Sequence, residues 1–398
     1  MKILLLFDDD LKSAKSAPVM MRQLCMAYKA LGHEPVLMVP DCEQKDVCCE
    51  TVVDGGFKII KFRSGRLKNI GFIKRAVNES LLSYNVLRAW KHFRKEQKFD
   101  MIAAYSPTIF WGIAVRRMKR YWKCPAYLIL RDLFPQWTLD SGLLHRYSPA
   151  YWYFKFFESL NYSAYERIGV QTEGNLKYFE RRRERGKVEV LNNWFIAPPA
   201  ATLVSYKEKY GLKGKIVFFY GGNIGFAQDM MNIVRLAENM LPYSQAHFLL
   251  VGKGDEWNLV EEERKRRKLT NLTLLPACSQ DEYWSILNEM DIGIFTLNSQ
   301  HTTQNVPGKL LGYMAFNKPI VGSINSGNDL LELWERNRAG LLSVNPDDQE
   351  FLKNAVSLLQ SESLCKELGE NAGKLLQEQF SPEAIARQII TILGADID

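Results

Sequence analysis

Residues 215–225 read Lys-Ile-Val-Phe-Phe-Tyr-Gly-Gly-Asn-Ile-Gly. An apolar run that is closed by glycines predicts a buried strand and then a tight turn, and residues 230–240 have the spacing of a helix. Glycines at such a turn let backbone N–H groups approach a phosphate, and the N-terminus of the following helix favours negative charge. The stretch therefore predicts a strand–turn–helix unit that binds phosphate, with a plain tight turn as the alternative.

Strands alternate with helices along the rest of the chain. Apolar runs predict further strands at residues 2–7, 35–39, 100–104, 126–130, 167–171, 187–191, 246–251, 271–275, 292–295 and 319–321. Helical spacing predicts a helix that begins near Pro18 and stops at Gly32, and others at residues 74–93 and 382–393. Such alternation is typical of α/β proteins, in which parallel sheets are covered by helices on both faces.

The length of 398 residues favours two domains. Residues 193–201 carry Pro198 and Pro199 and predict a linker. We expect an N-terminal Rossmann-like domain at residues 1–195 and a C-terminal one at 196–381, with the last helix, 382–398, packing back on the first domain. Ligands of open α/β sheets bind beyond the carboxyl ends of the strands, so we expect those ends to face one another across a cleft.

The net charge of +7 is unevenly distributed. Residues 1–195 hold 33 Lys and Arg against 20 Asp and Glu, and the remainder holds 19 against 25. A basic half favours an anionic partner such as a membrane surface, a polyphosphate carrier or a nucleic acid. No recognised nucleic-acid motif accompanies the charge, so we expect no nucleic-acid partner.

The basic charge is concentrated at residues 58–98, which hold twelve Lys and Arg and two acidic residues. Apolar side chains are interleaved with these charges: Phe62, Ile70, Phe72, Ile73, Val77 and Leu81. Residues 116–122 form a second aromatic and basic stretch. Such segments lie in membrane interfaces that contain acidic lipids, although a solvated basic face over a packed apolar stripe is the alternative.

The remaining composition indicates a cytoplasmic protein. The apolar runs are too short to span a bilayer, and residues 1–7 followed by three aspartates are typical of a first strand rather than a signal peptide. The seven cysteines form no Cys-x-x-Cys pair, and none of the five histidines stands at zinc spacing from a cysteine. We therefore expect reduced cysteines in a cytosolic compartment. The basic first half adds the expectation of a protein peripheral to the inner face of the plasma membrane.

Five segments of the second half, in this order, resemble the retaining glycosyltransferases of family 4, which have the GT-B fold. They are residues 220–225 (Tyr-Gly-Gly-Asn-Ile-Gly), 248–254 (Phe-Leu-Leu-Val-Gly-Lys-Gly), 272–276 (Leu-Thr-Leu-Leu-Pro), 290–295 (Met-Asp-Ile-Gly-Ile-Phe) and 306–321 (Val-Pro-Gly-Lys-Leu-Leu-Gly-Tyr-Met-Ala-Phe-Asn-Lys-Pro-Ile-Val). In the first half, residues 31–36 (Leu-Gly-His-Glu-Pro-Val) resemble a strand entry of that family. Residues 130–135 (Leu-Arg-Asp-Leu-Phe-Pro) resemble a segment found in a bacterial branch of the family that builds surface polysaccharides. That branch includes N-acetyl-fucosamine transferases of O-antigen synthesis.

The resemblance implies two facing Rossmann-like domains with an interdomain cleft. It also implies a retaining transfer of a hexosyl or N-acetylhexosaminyl group from a nucleotide sugar, which we expect to be a UDP-sugar. The acceptor would be a lipid-diphosphate-linked or other saccharide used in O-antigen or capsule synthesis. The nucleotide sugar is then a substrate, and this fold class uses no metal, so the resemblance implies no metal and no cofactor.

The resemblance implies a donor site in the second half. Its predicted residues are Gly222, Asn223, Gly225, Gln228, Gly252, Lys253, Gly254, Cys278, Gln304, Asn305, Pro307 and Gly308. Asn223 and Gln228 stand where many relatives place an arginine and a lysine on the diphosphate, so Lys309 becomes the candidate that neutralises it. The alternative for Lys309 is a solvated surface lysine.

Two glutamates that the family spaces eight residues apart are missing from this region. Their positions fall on Gln304 and Gly312. An amide still hydrogen-bonds a sugar hydroxyl, but a glycine cannot hold the ribose. Some ribose contact is therefore lost or comes from another residue.

Charged residues follow two predicted strands of the first half. Arg131 and Asp132 end the strand at 126–130, where Arg131 would stabilise developing charge and Asp132 would orient the acceptor hydroxyl or take its proton. An internal Arg–Asp ion pair is the alternative. Residues 8–10, all aspartate, and then Ser16 and Ala17 follow the first strand, where we expect the acceptor; a solvated loop is the alternative for the aspartates.

Two other functions compete with sugar transfer. A nucleotide-sugar epimerase of the same fold would need acid and base carboxylates in the cleft and no membrane affinity, and the missing glutamates and the basic first half count against it. A catalytically degenerate binding subunit of a polysaccharide complex is favoured by the missing glutamates. The glycine-rich turn and Lys309 count against that second alternative.

Overall fold

A computed structural model of the chain describes residues 1–9, 11, 16–43, 47–68, 70–140, 142–197, 204–299 and 306–395. The chain divides into two compact units. The N-terminal unit comprises Met1–Trp194 together with Pro382–Asp398, and the C-terminal unit comprises Phe195–Ser381.

The N-terminal unit is built on an eight-stranded sheet in the order β3-β4-β2-β1-β5-β6-β7-β8. Its strands are β1 (Lys2–Leu6), β2 (Glu34–Asp41), β3 (Cys49–Asp54), β4 (Phe57–Arg63), β5 (Met101–Ser106), β6 (Ala126–Leu130), β7 (Arg167–Val170) and β8 (Val188–Val190). The strand β3 runs antiparallel to β4, and the other pairs are parallel. The central strands are continuous apolar runs because helices cover both faces of the sheet.

Seven helices between these strands flank the sheet in the described part of the N-terminal unit before residue 195. They are α1 (Ser16–Ala30), α2 (Phe72–Ser80), α3 (Leu82–Phe93), α4 (Gly112–Trp122), α5 (Gln136–Asp140), α6 (Pro149–Tyr162) and α7 (Glu173–Leu176). Ser148 caps α6 by accepting a hydrogen bond from the Tyr151 backbone N–H, and proline follows it at the first helical position.

The prediction of one helix at residues 74–93 is wrong, because the structure has α2 and α3 with a break at Leu81. Helix α3 buries Leu82, Val86 and Trp90 in the core, whereas α2 buries no residue. The apolar stripe of α2 thus lies on a different face from that of α3, and one straight helix cannot satisfy both.

The prediction that Phe62 belongs to an interfacial face is also wrong. Phe62 lies in β4, is fully buried in the core and packs edge-on against Trp111. The sequence did not predict strand β4, because its lysines and arginines interrupt the apolar pattern. The strand is paired on both sides, with β2 and β3.

The C-terminal unit has a six-stranded parallel sheet in the order β11-β10-β9-β12-β13-β14. Its strands are β9 (Ile216–Asn223), β10 (Ala246–Lys253), β11 (Leu272–Pro276), β12 (Ile292–Thr296), β13 (Ile320–Ile324) and β14 (Leu341–Val344). Its helices are α8 (Tyr206–Lys209), α9 (Met230–Asn239), α10 (Trp257–Arg266), α11 (Gln280–Glu289), α12 (Gly308–Ala315), α13 (Leu330–Asn337), α14 (Asp348–Gln360) and α15 (Glu362–Leu375).

The last helix, α16 (Pro382–Ala395), belongs to the N-terminal unit. Ile385, Ile389 and Leu393 recur at four-residue intervals and are buried in the same core cluster as α1. The Gln388 side chain donates a 2.7 Å hydrogen bond to the Val190 carbonyl at the end of β8. The N-terminal core is therefore completed by residues from both ends of the chain.

No helix in the described ranges is both long enough and apolar enough to cross a membrane.

Replacing Ile389 by alanine tests the contribution of α16. Ile389 is fully buried, so the cavity should lower the free energy of unfolding by about 2–5 kcal/mol. Urea titration followed by tryptophan fluorescence measures the change. Arg387→Ala, on the exposed face of the same helix, should change stability by no more than about 0.5 kcal/mol. Equal losses in the two variants would contradict the packing of α16.

Candidate functional site

Two neighbouring strands of the C-terminal unit end in glycines that lie side by side. Gly222 of β9 is paired with Gly252 of β10. A Cβ atom on Gly252 would lie 1.9 Å from the Gly222 carbonyl oxygen, and one on Gly254 would lie 2.0 Å from the Ile224 carbonyl oxygen. Both positions require glycine, because the backbones approach too closely for a side chain.

The turn after β9 begins later than the sequence predicts. Strand β9 continues through Asn223, so Gly221 and Gly222 belong to the strand. Gly222 has a φ of 133°, a conformation that favours glycine. A short 3₁₀ turn at Phe226–Gln228 and a left-handed Asp229 then lead into α9.

Asn223 and Gln228 are bonded to each other. The Asn223 amide nitrogen donates a 2.8 Å hydrogen bond to the Gln228 amide oxygen, so this neutral pair spans the turn. Gly225 faces an acidic side chain, since its Cβ would lie 2.3 Å from an Asp255 carboxylate oxygen. Lys253, the next predicted residue, is exposed beside Asn223 at the end of β10.

Lys309 supplies a buried amine at the same edge. Its Nζ lies 3.6 Å from the ring centroid of Tyr220 and has no hydrogen-bond partner among the described residues. A Cβ on Gly222 would lie 3.6 Å from the Lys309 Cε. Burial lowers the pKa of Lys309 to about 7, so the amine is close to half-protonated at neutral pH. An anion beside it would favour the protonated form.

Helix α12 is held to the end of β9 by a residue that sequence reasoning missed. The Tyr313 hydroxyl accepts a 3.2 Å hydrogen bond from the Gly221 backbone N–H and donates one of 3.2 Å to the Ile294 carbonyl. Its position four residues after Lys309, on the same face of α12, was the available signal. Pro307 precedes this helix, Gly308 opens it and Lys309 follows in its first turn. Because Tyr313 holds the helix in place, it also fixes the position of the Lys309 amine.

The position of the second missing glutamate is closed by packing. A Cβ on Gly312 would lie 2.9 Å from the Trp284 ring, so a glutamate there would require the ring to move. Cys278 follows β11, is half-buried and has its thiol pKa raised by burial. Gln304 and Asn305 lie outside the described residues.

The N-terminal unit has a separate cluster at the carboxyl ends of its strands. Asp8 follows β1, is 2% exposed and lies 3.4 Å from the Lys68 Nζ. Burial raises the pKa of Asp8 to about 6, although Lys68 opposes the rise. The solvated-loop alternative is therefore wrong for Asp8, while Asp10 lies outside the described residues.

Asp132 belongs to the same cluster. Its side chain is exposed, and desolvation raises the pKa of its carboxyl while Lys68 and Arg131 lower it. Lys68 thus lowers the carboxyl pKa of both Asp8 and Asp132. Nothing in the sequence distinguishes Lys68 from the other basic residues around it. Ser16 and Ala17 open α1, and Ser16 is exposed.

Arg131 is engaged with the backbone. Its guanidinium donates hydrogen bonds of 2.6 Å and 3.2 Å to the Leu191 and Asn192 carbonyls and lies 5.3 Å from the Trp194 ring centroid. Within the described ranges no ion pair joins Arg131 to Asp132, so the ion-pair alternative is wrong. These bonds hold the end of β6 to the segment after β8, which is a structural role.

The described ranges contain no candidate metal site. No group of three or more His, Cys, Asp and Glu side chains there is arranged to hold a metal ion.

Part of the C-terminal unit matches a known family model, and the chain is similar to several curated proteins. Residues 216–361 match the family model described as "Glycosyl transferases group 1". The probable glycosyltransferase WbjE of Pseudomonas aeruginosa is 25% identical over 264 residues, 64% of each chain. The N-acetyl-alpha-D-glucosaminyl L-malate synthase of Bacillus anthracis is 25% identical over 191 residues, 48% of each chain. The chain thus spans less than two thirds of the length of these relatives.

Solved structures resemble the chain over nearly its whole length. Anabaena Alr3699/HepE in complex with UDP has a TM-score of 0.64 at 15% identity, covering 99% of this chain and 100% of that one. An E. coli trehalose-6-phosphate structure bound with UDP-2-fluoro glucose has a TM-score of 0.63 at 15% identity and 99% coverage of both chains. WaaG, a glycosyltransferase involved in lipopolysaccharide biosynthesis, has a TM-score of 0.58 at 11% identity and 99% coverage of both chains.

These neighbours define the fold class. The chain has two Rossmann-like α/β domains with parallel sheets, as GT-B glycosyltransferases have. The matched family region contains β9 to β14, and with them the glycine edge and Lys309.

Asp8→Asn tests the burial of the Asp8 carboxyl. The folded pKa of about 6 lies above the usual 3.8, so between pH 4 and 6 the folded protein keeps a proton that the unfolded chain has lost. The contribution of Asp8 to wild-type stability therefore falls as the pH rises through this window, by about 3 kcal/mol for two pKa units. The asparagine variant lacks this contribution, so its free energy of unfolding relative to that of the wild type should rise between pH 4 and 7 in urea titrations.

Asp54→Asn is the matched control in the same unit. Arg22 holds the pKa of the Asp54 carboxyl below its usual value, so that variant should lose ground on the wild type as the pH rises from 3 to 7. Parallel pH profiles for the two variants would contradict the assignment of Asp8.

Proposed function

We propose that the chain transfers a sugar from a nucleotide sugar to a saccharide acceptor and binds the donor diphosphate beside Lys309. The observation that carries the proposal is the unpartnered, buried Lys309 amine facing Gly222 at the strand ends. An ammonium group in such a place is stabilised by an anion and costs free energy without one. The family match of residues 216–361 supports the same conclusion.

The proposed donor is a UDP-sugar and the proposed family is glycosyltransferase family 4. Solved structures of the neighbour Anabaena Alr3699/HepE were determined with UDP and with UDP-glucose, which supports the choice of base. The motif at residues 130–135 favours the surface-polysaccharide branch that includes N-acetyl-fucosamine transferases. Because Gly312 packs on Trp284, the ribose must be held by groups other than the glutamate that relatives use there.

The proposed reaction retains the anomeric configuration of a hexosyl or N-acetylhexosaminyl group. The bond between the anomeric carbon and the diphosphate oxygen breaks while the acceptor hydroxyl attacks on the same face, and the leaving phosphate takes the hydroxyl proton. Protonated Lys309 neutralises charge that develops on the diphosphate. Asp132 and Asp8 are the candidates that orient the acceptor hydroxyl.

The proposed acceptor is a lipid-diphosphate-linked saccharide of O-antigen or capsule synthesis. Support comes from the basic N-terminal half, which favours a polyphosphate or membrane partner. This proposal places the protein in the cytoplasm, peripheral to the inner face of the plasma membrane.

A second candidate is a binding subunit that holds a nucleotide sugar without turnover. The packing at Gly312 favours it, because a ribose-binding carboxylate is absent there and would have to displace the Trp284 ring. Turnover therefore has to be tested separately from binding.

Nucleotide binding should depend on Lys309. In a thermal unfolding series with UDP, GDP, ADP and CMP at about 1 mM each, UDP should raise the midpoint most; a ligand at a hundred times its Kd stabilises by about 2.7 kcal/mol. Lys309→Met should abolish the rise, whereas Lys265→Met on the exposed face of α10 should leave it unchanged. A rise that survives in Lys309→Met would refute the role of the amine.

The same amine should make binding take up a proton. With a ligand-free pKa of about 7, Lys309 is mostly neutral at pH 8, so UDP binding should take up a proton there and weaken as the pH rises further. Calorimetry in two buffers of different ionisation enthalpy measures the uptake. No uptake in the wild type, or equal uptake in Lys309→Met, would contradict the assignment.

Transfer itself should conserve the anomer. With UDP-sugars and lipid-linked saccharides as substrates, the new linkage should have the configuration of the donor, read from the one-bond C–H coupling of the product by NMR. An inverted product would overturn the retaining mechanism. Nucleotide binding without UDP release on any acceptor would favour the binding subunit, and a donor epimer formed without acceptor would favour an epimerase.

A further inference from the structure

Helix α2 exposes its apolar side chains and buries none. Phe72 is 90% exposed and Ile73 is 82% exposed, and Val77 and Leu81 continue the stripe at four-residue intervals. A surface helix of a globular domain ordinarily turns such a stripe towards the core. We therefore expect the stripe of α2 either to contact an apolar partner outside the N-terminal unit or to be kept exposed because a function requires it.

Helix α6 exposes large aromatic side chains in the same way. Trp152 is 62% exposed and Phe156 63%, and Tyr153 stands between them on the same face. The opposite face is buried through Tyr151 and Tyr162. Tryptophan and tyrosine favour the boundary between hydrocarbon and water, because one end of each ring system is apolar and the other forms hydrogen bonds.

The two helices are joined at their exposed faces. The Ser80 hydroxyl at the end of α2 lies 2.7 Å from the Tyr153 hydroxyl of α6. We call the apolar residues of these two faces the α2–α6 surface: Phe72, Ile73, Val77, Leu81, Trp152, Tyr153 and Phe156.

The aromatic packing beneath α6 continues towards the strand ends. The Phe154 and Phe134 ring centroids are 4.9 Å apart, and the Phe134 and half-exposed Trp137 rings are 6.3 Å apart. Phe134 follows Asp132 by two residues. The α2–α6 surface therefore leads to the cluster of Asp8 and Asp132 in the same unit, which we call the carboxyl cluster.

Positive charge accompanies these apolar side chains. Lys74 is exposed on α2, and Arg146 is exposed just before α6. Arg66 is also exposed. It lies beside α2, since its carbonyl accepts a 2.7 Å hydrogen bond from the Asn78 side chain of that helix. Exposed aromatic rings together with lysine and arginine match a bilayer with anionic headgroups, which takes both kinds of side chain at different depths.

We propose that the α2–α6 surface docks on a bilayer that contains anionic lipid, with the apolar side chains entering the headgroup region and the basic side chains meeting lipid phosphates. The biological meaning of this docking rests on the proposed function, since it would bring the carboxyl cluster to a lipid-linked acceptor. Docking itself requires neither donor nor acceptor.

Vesicle flotation of the full chain tests the proposal. The wild type should float with phosphatidylcholine vesicles that contain about 30% phosphatidylglycerol, and the bound fraction should fall as salt screens the charges. Phe72→Ser combined with Ile73→Ser should weaken binding at least about ten-fold, because two large apolar side chains no longer enter the interface. Lys74→Gln should weaken it about five-fold on the anionic vesicles only.

Matched controls remove exposed apolar side chains elsewhere. Val53→Ser combined with Leu259→Ser replaces two such residues, on β3 and α10, and should leave flotation unchanged. Phe156→Ser on α6 is a second variant that should lose binding. It keeps the test valid if circular dichroism shows that the α2 variant is misfolded.

Unchanged flotation of both the α2 and α6 variants would overturn the proposal, as would wild-type binding that is equal on pure phosphatidylcholine and insensitive to salt. Failure of the wild type to float, with α2-dependent capture of a protein from solution, would replace the bilayer by a protein partner. UDP-dependent stabilisation is measured on the same variants. If UDP stabilises the wild type but the wild type does not float, the docking surface is wrong and the proposed function stands. If the wild type floats but UDP does not stabilise it, the donor site alone is refuted.

Discussion

The close approach of the Gly222 and Gly252 backbones is the constraint on which the candidate donor site depends. Because no side chain fits between these strand ends, bare backbone lines the edge of the sheet. Tyr313 bonds to the same strand end and thereby fixes α12. The Lys309 amine is then held over Tyr220 with no partner of its own. Glycine packing, an aromatic hydroxyl and a buried cation thus form one connected arrangement.

Each unit buries an ionisable group near the carboxyl ends of its strands, and burial shifts both groups in the same direction, towards neutrality. The pKa of Lys309 falls to about 7 and that of Asp8 rises to about 6. Asp8 has Lys68 beside it, whereas Lys309 has no anion among the described residues. The asymmetry is what a site for an anionic ligand requires: the missing charge comes with the ligand.

The strand pattern, the resemblance to family 4 and the basic first half were all readable from the sequence, because each is a property of consecutive residues. Strand β6 has the predicted bounds, 126–130, since a continuous apolar run suits a strand that helices cover on both faces. The glycines at 252 and 254 were also recognisable, because close backbone approach leaves a trace in residue type. Lys309 could be proposed only after the family motif had placed it.

Other features were decided by tertiary packing. The break at Leu81 arises because α2 and α3 turn different faces to the core, and Phe62 is buried because β4 has a strand on each side. Arg131 bonds to carbonyls about sixty residues away rather than to its neighbour Asp132. The sequence by itself determined the order and class of the elements, since local periodicity sets which side chains share a face. Only the tertiary structure decided the partner of each charge, because a buried polar group bonds to whatever the fold brings within about 3 Å.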